Sequence, residues 1–152
     1  MACYTHLTQA KVGIPTVLIM KKMTPKIREK YPSATFQTVL DNLTRMHEVG
    51  MVICVGTDAN IVAGLEIPHG TSIHDEMELM SQSGMSVVNV LRAATSVPAK
   101  YFGLTDRREI KEGKRADLTL VEGNPVEDIH VTRNVKHVWI RGCEGGLELC
   151  CM

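Results

Sequence analysis

One carboxylate stands where an enzyme of the right architecture would use it. The apolar run Met51-Val52-Ile53-Cys54-Val55 is followed directly by Gly56-Thr57-Asp58-Ala59-Asn60. In parallel α/β folds the functional groups collect at the carboxyl ends of strands, which makes the residues just past this run the place to look. Gly56 lets the chain turn tightly, Thr57 can hydrogen-bond locally, and Asp58 could bind a metal or take a proton from a water. On spacing alone, Gly-Thr-Asp reads equally well as an ordinary turn. Of the six histidines, His69 lies in the loop after the aspartate. His47 lies one position off an apolar helical stripe, and His74, His130 and His137 read as structural or surface groups. Five cysteines at irregular spacing (Cys3, Cys54, Cys143, Cys150, Cys151) make no disulfide framework, which points to a reduced, cytoplasmic setting. Cys54, inside its apolar run, reads as a small hydrophobe.

The elements that would position Asp58 follow from period and punctuation. Residues 12–20 form a continuous apolar run, as expected of a strand buried on both faces. Phe36, Val39, Leu40, Leu43, Met46 and Val49 recur at helical spacing. They predict a helix from a Ser33 cap to Val49, stopped by Gly50. Residues 51–55 then make a second buried strand, and strand, helix, strand in this order predicts a parallel βαβ unit. Ile73, Met77 and Met80, with Asp75, Glu76 and Glu78 between them, predict an amphipathic helix over 72–83, closed by Gly84. Ser86 opens another helix carrying Val87, Val90, Leu91 and Ala94. Val97-Pro98 breaks it before one more turn at 99–103. Near residue 105 the pattern shifts toward a period of two, with a turn at Gly123-Asn124-Pro125. This predicts a small subdomain of short antiparallel strands.

At 152 residues and 44% hydrophobic content, the chain can bury one sizeable core. Seventeen basic residues balance seventeen acidic ones, so no net field steers it toward nucleic acid or an anionic membrane. Its apolar runs fall well short of the roughly 20 residues that span a bilayer. The first residues lack the basic head and apolar stretch of a secretory signal.

Several ordered motifs together carry more than any one alone. They are Gly56-Thr57-Asp58-Ala59, His69-Gly70, Glu76-Met77-Glu78-Leu79-Met80 and Ser83-Gly84-Met85-Ser86, followed by the stretch from Leu91 to Lys100 and by Gly103-Leu104. Further on come Ile110-Lys111-Glu112-Gly113-Lys114-Arg115-Ala116-Asp117-Leu118, Gly123-Asn124-Pro125 and Val138-Trp139-Ile140-Arg141-Gly142. In this order they resemble the carboxyl-terminal part of the metal-dependent amidohydrolase superfamily, its imidazolonepropionase-like and prolidase-like members most of all. Gly13-Ile14-Pro15-Thr16-Val17-Leu18 resembles their seventh barrel strand, so the resemblance runs over roughly residues 12 to 142.

The resemblance implies an α/β fold: a partial (β/α)8 barrel (its last two strands and their helices) over residues 1–105, then a small β-sandwich portion with a tail over 106–152. It implies that Asp58 is both metal ligand and catalytic residue, taking the proton from the attacking water, and that His69 faces the substrate. Asp117 matches a family residue of the β subdomain, where turn geometry accounts for it. The family's paired histidines after the first strand, its bridging lysine or carboxylate, and the histidines after the fifth and sixth strands have no counterpart here. His6 lacks the family surroundings. The expected function is therefore that of a partial metal-dependent amidohydrolase. It would hydrolyse amide, cyclic amide or dipeptide-like carbon-nitrogen bonds when an upstream polypeptide completes the barrel, and would be inactive alone. A divalent metal, zinc by expectation, belongs to the complete enzyme, with none held tightly by this chain alone. The alternative is a non-catalytic binding or assembly module that keeps the scaffold motifs and pairs through exposed strand edges or with itself. A metal protein built on Cys143, Cys150 and Cys151 is a third reading.

Overall fold

The structure, a computed structural model, describes residues 12–13, 25, 29–32, 35–61 and 66–145. Strand β1 (Val12–Gly13) pairs in parallel with β2 (Val52–Ile53), in the register Val12 to Val52 and Gly13 to Ile53. Helix α1 (Phe36–Glu48) lies between them in sequence, so the expected parallel strand-helix-strand order is present. Residues 14–20 of the expected first strand lie outside the described residues.

Thr35, in extended conformation, caps α1, its hydroxyl accepting from the N–H of Thr38 at 3.2 Å. The expected cap, Ser33, lies outside the described residues. The helix buries Leu40 and Leu43. It ends at Val49, and Gly50 follows in the left-handed region (φ +74°), a conformation that glycine adopts without steric cost. Val49 was expected on the buried stripe and is instead exposed, because it already belongs to the helix end.

Helix α2 (Ser72–Gln82) buries Met77, Leu79 and Met80, but its inward face is rotated from the expected one. Ile73 points partly to solvent, while Glu76, expected on the polar face, is fully buried. Ser72, Glu76, Met80 and Ser83 recur at intervals of four and three, and share the buried side. Glu76 has an interaction partner, and no buried side-chain polar atom among the described residues lacks one, so its burial is compatible with the cost of hiding a carboxyl. The Thr44 hydroxyl of α1 donates to the carbonyl of Ser83, tying the two helices together.

Ser86 caps α3 (Val87–Ala94), accepting from the N–H of Asn89 at 3.4 Å. The break before α4 (Ser96–Tyr101) falls at Thr95 (φ −132°, ψ −84°) rather than at Val97-Pro98. Pro98 sits in the first turn of α4, where a helix has no internal partner for the N–H that proline lacks. The N–H of Val55 donates to the carbonyl of Ala93 at 2.9 Å, anchoring the exit of β2 to the end of α3.

Past residue 105 three short strands form an antiparallel sheet in the order β3-β4-β5: β3 (Leu118–Val121), β4 (Val135–Ile140) and β5 (Cys143–Glu144). Leu118 faces Trp139 and Leu120 faces His137, with a register irregularity between Leu120 and Val121. A 3-10 turn (Ile129–Arg133) joins β3 to β4, an element the periodicity did not announce. Its Ile129 enters the same core as Leu43, Ile53, Ile67, Met80 and Val90. At about 1.5–3 kcal/mol per fully buried aliphatic side chain, Ile129 is a substantial tie between the connection and the helices. No helix among the described residues is long and apolar enough to cross a membrane.

Candidate active site

Asp58 lies five residues beyond the end of β2, on the stretch that leaves the parallel pair at its carboxyl end, and it is exposed. Its backbone is left-handed (φ +51°), as for only one other non-glycine residue among those described, Arg141. Aspartate and asparagine tolerate this region better than most residues. The strain is still about 1 kcal/mol or more, and a local hydrogen bond, worth about 0.5–1.5 kcal/mol net, is of the size to offset it. That bond is present: the side-chain amide of Asn60 donates to the carbonyl of Asp58 at 2.8 Å.

Asn60 is itself held. Its N–H and C=O exchange hydrogen bonds with Ile67, each 3.0 Å, in an antiparallel bridge. Ile67 is fully buried, so the loop is pinned to the core at this pair. From the bridge one arm runs back to Asp58 and the other forward to His69, each two positions away. The two candidate residues thus leave the same end of one closed loop. His69 is exposed and enters a turn with Gly70 (φ +82°) that leads into α2, where the Ser72 hydroxyl donates to the carbonyl of Pro68 at 2.6 Å. Four residues before Asp58 in the chain, Cys54 is buried, as its apolar run implied.

The remaining described histidines are engaged elsewhere. His74 Nδ1 lies 3.0 Å from the Thr132 hydroxyl, where α2 meets the 3-10 turn. Burial and the Arg133 guanidinium hold its pKa below the ordinary value, against the opposing pull of Asp75 and Glu78. His130 pairs with Glu78 at 3.1 Å, and Arg133 bridges Asp75 and Glu78. His137 pairs with Glu144 and stacks on Trp139. His47 lies near Asn89. His6 is outside the described residues.

Asp117 is a structural hub. It accepts from Arg115 at 2.9 Å, from Arg107 at 3.2 Å and from the N–H of Arg141 at 2.9 Å. The Arg141 N–H, helped by both guanidinium groups, holds the Asp117 carboxyl below the usual carboxylate range. An open groove beside it is lined by Pro98, Phe102, Leu104, Arg107 and Arg108, and neither Asp58 nor His69 borders it.

A catalytic zinc takes three protein ligands, and a structural zinc four. No group of three or more His, Cys, Asp or Glu among the described residues could hold a metal ion. Asp58 offers a single ligand, so the described residues do not by themselves fit a resident metal. Sequence reasoning missed the Asn60 clamp, although Asp-x-Asn just past a strand is a turn pattern that could have announced it.

The amidohydrolase family profile matches residues 4–144, and the chain belongs to that family. Among solved structures it is similar to a Xaa-Pro dipeptidase with methionine bound in the active site (31% identity, TM-score 0.73, 88% of this chain and 34% of that one). It is also similar to a Bifidobacterium longum protein described as a prolidase (25% identity, TM-score 0.69, 88% and 34%). A molinate hydrolase shares the fold at 23% identity and TM-score 0.67, over 88% of this chain and 32% of that one. The chain spans about a third of the length of these structures. No curated protein matches it.

Proposed function

We propose that this chain is the part of a carbon-nitrogen hydrolase that carries the proton-accepting carboxylate, Asp58, and a substrate-facing histidine, His69. The observation that supports this reading is the left-handed, clamped placement of Asp58 past the carboxyl end of β2, in a chain that the amidohydrolase family profile matches over residues 4–144. In this proposal residues 1–105 are the last two strand-and-helix units of a (β/α)8 barrel, and residues 106–152 are part of a small β-sandwich. Polypeptide outside these 152 residues supplies the other strands and the other ligands of a divalent metal, zinc by expectation. A carboxylate oxygen of Asp58 takes a proton from the water that attacks the scissile carbonyl. Asp58 then passes that proton to the departing amide nitrogen as the carbon-nitrogen bond breaks, and the exposed imidazole of His69 contacts the substrate. The similarity to a Xaa-Pro dipeptidase suggests dipeptide-like substrates.

The test combines the full chain with the preceding two-thirds of that dipeptidase as a separate polypeptide, and measures release of proline from Xaa-Pro dipeptides. Asp58→Asn keeps the size and removes the basic oxygen, so turnover should fall roughly 10²–10⁴-fold, the usual cost of losing a general base. His69→Ala should mainly raise KM. A complex that sediments as one species and turns nothing over, or one indifferent to Asp58→Asn, overturns the reading.

A second reading, an assembly module, draws on the apolar residues that the small sheet leaves exposed: Leu120, Val135 and Val138. An assembly surface is also what a chain needing a completing polypeptide would show, so the hydrolytic reading accommodates it.

A further inference from the structure

We propose that Asn60 is a positioning residue for Asp58: its side-chain amide holds the Asp58 carbonyl so that the carboxylate is presented in the left-handed conformation it has here. The inference rests on the reading of Asp58 as the hydrolytic carboxylate, and adds to it the group that sets its orientation. The chain before Asp58 is anchored where the Val55 N–H donates to Ala93, and the Asn60 amide fixes the peptide that follows Asp58, so the left-handed φ of Asp58 is what joins the two anchors. The Asn60 side-chain amide donates to the Asp58 carbonyl at 2.8 Å. It can act as a fixed post because its own backbone is bonded in both directions to Ile67, which is fully buried in the core. The chain of support thus runs from core to Ile67, to the Asn60 backbone, to the Asn60 amide, to the Asp58 carbonyl. Because the Asn60–Ile67 link is made by backbone, replacing the Asn60 side chain should leave the loop closed while freeing the Asp58 carbonyl.

Two variants separate the amide from the rest of the residue. Asn60→Ala removes the donor, and Asn60→Asp keeps the size while replacing the amide with a carboxylate that cannot donate when ionised. In the full chain, φ-sensitive NMR couplings and the Cα shift of Asp58 should leave their left-handed values in both variants, while the Ile67 amide stays protected from exchange. In the complex with the dipeptidase segment, both variants should lower kcat about ten-fold or more with KM within about two-fold, as expected for a misaimed reacting group. In an Asp58→Asn background, Asn60→Ala should change kcat no further, because its effect passes through the carboxylate.

Unchanged Asp58 couplings in Asn60→Ala overturn the proposal outright. An equal loss of turnover in both backgrounds also overturns it, by showing that Asn60 acts on something other than Asp58. If Asp58→Asn alone leaves turnover unchanged, the hydrolytic reading fails first and Asn60 loses its catalytic role with it. Failure of the couplings while Asp58 remains essential rejects Asn60 alone.

Discussion

The carboxylate of Asp117 accepts from the backbone N–H of Arg141 at 2.9 Å, joining the entry of β3 to the turn after β4. Arg141 is left-handed (φ +56°), and the N–H of Gly142 donates to the carbonyl of Ala116 at 2.9 Å alongside, so two bonds close the same corner. A neutral amide at position 117 would still reach the Arg141 N–H but would lose the charge-assisted bonds from Arg107 and Arg115. Asp117→Asn should therefore lower the melting midpoint followed by Trp139, the only tryptophan, which lies on β4 beside this corner. The carboxyl is held below its ordinary value, so its contribution is full above about pH 4 and is lost as pH falls through the lower folded value. Melting wild type and variant between neutral and strongly acidic pH should show their gap closing on the acid side. A gap that persists there would assign the effect to packing.

His74 titrates in the opposite chemical sense with the same pH direction. Its pKa is lowered, first by burial and then by Arg133, so the fold accommodates the neutral ring. Unfolded chains take up the proton near pH 6.5, and stability should decline as pH falls from there through the depressed folded value. The groups facing the ring are Arg133, Asp75 and Glu78, with His130 bonded to Glu78. Carboxylates and guanidinium pull oppositely, which keeps the dependence modest. Urea unfolding at pH 7.5 and 5.5 should give a smaller difference for His74→Gln, which can still bond Thr132 but does not titrate. An equal difference in both proteins would move the pH dependence to another group.

Gly123 and Gly113 separate strain from crowding. Both have positive φ, +104° and +78°, but a Cβ at 123 would lie 3.2 Å from Val131 Cγ1, whereas one at 113 would meet nothing within 4 Å. Gly113→Ala should cost only the backbone penalty, about 1 kcal/mol, and Gly123→Ala about 2 kcal/mol or more, since Val131 must also give way. Chemical denaturation of the two variants measures the difference. Equal losses would mean that Val131 relaxes freely.

The parallel βαβ order, the helix over Phe36–Glu48 and the switch to antiparallel strands were all legible, because each rests on a hydrophobic period or a glycine stop. What was not legible depends on tertiary partners. The burial of Glu76 in place of Ile73 needs a partner that no local pattern announces. The Ile129–Arg133 turn has no period of its own and is held by Ile129 in the core and by Arg133 on α2. Asp58 was picked out by its place after an apolar run. The Asn60 amide on its carbonyl belongs to the Asp-x-Asn pattern, whereas the bridge from Asn60 to Ile67 that anchors this clamp to the core joins residues that carry no regular pattern.

Metal content offers a separate check on the donor set. One carboxylate gives far too little free energy to retain zinc through dialysis, since catalytic sites use three protein ligands. The chain alone should hold well under one zinc per molecule. Addition of the completing segment should raise the content, and Asp58→Asn should lower it again. One tightly held zinc on the isolated chain would mean that residues outside the described set form a site.

The small sheet predicts association. Among the described strands β3 pairs only with β4, and Leu120 (49% exposed), Val135 (43%) and Val138 (39%) leave apolar surface on the sheet. Leu120 faces His137 and Val138 faces Thr119, so the exposed groups lie on both faces, and among the described strands the outer edge of β3 has no strand partner. At about 25 cal/mol per Å² of apolar area, covering two such side chains contributes on the order of 2–4 kcal/mol, which alone matches only a millimolar complex, so micromolar assembly requires backbone pairing along the β3 edge as well. Sedimentation velocity over the micromolar range should show concentration-dependent oligomers. Replacing Leu120 with Glu and Val138 with Lys should shift the chain toward monomer without altering helix content. The completing segment should compete with self-association if it covers the same sheet. A wild-type chain that stays monomeric throughout, with β3 amides exchanging as slowly as those of α2, would remove the sheet as an assembly surface.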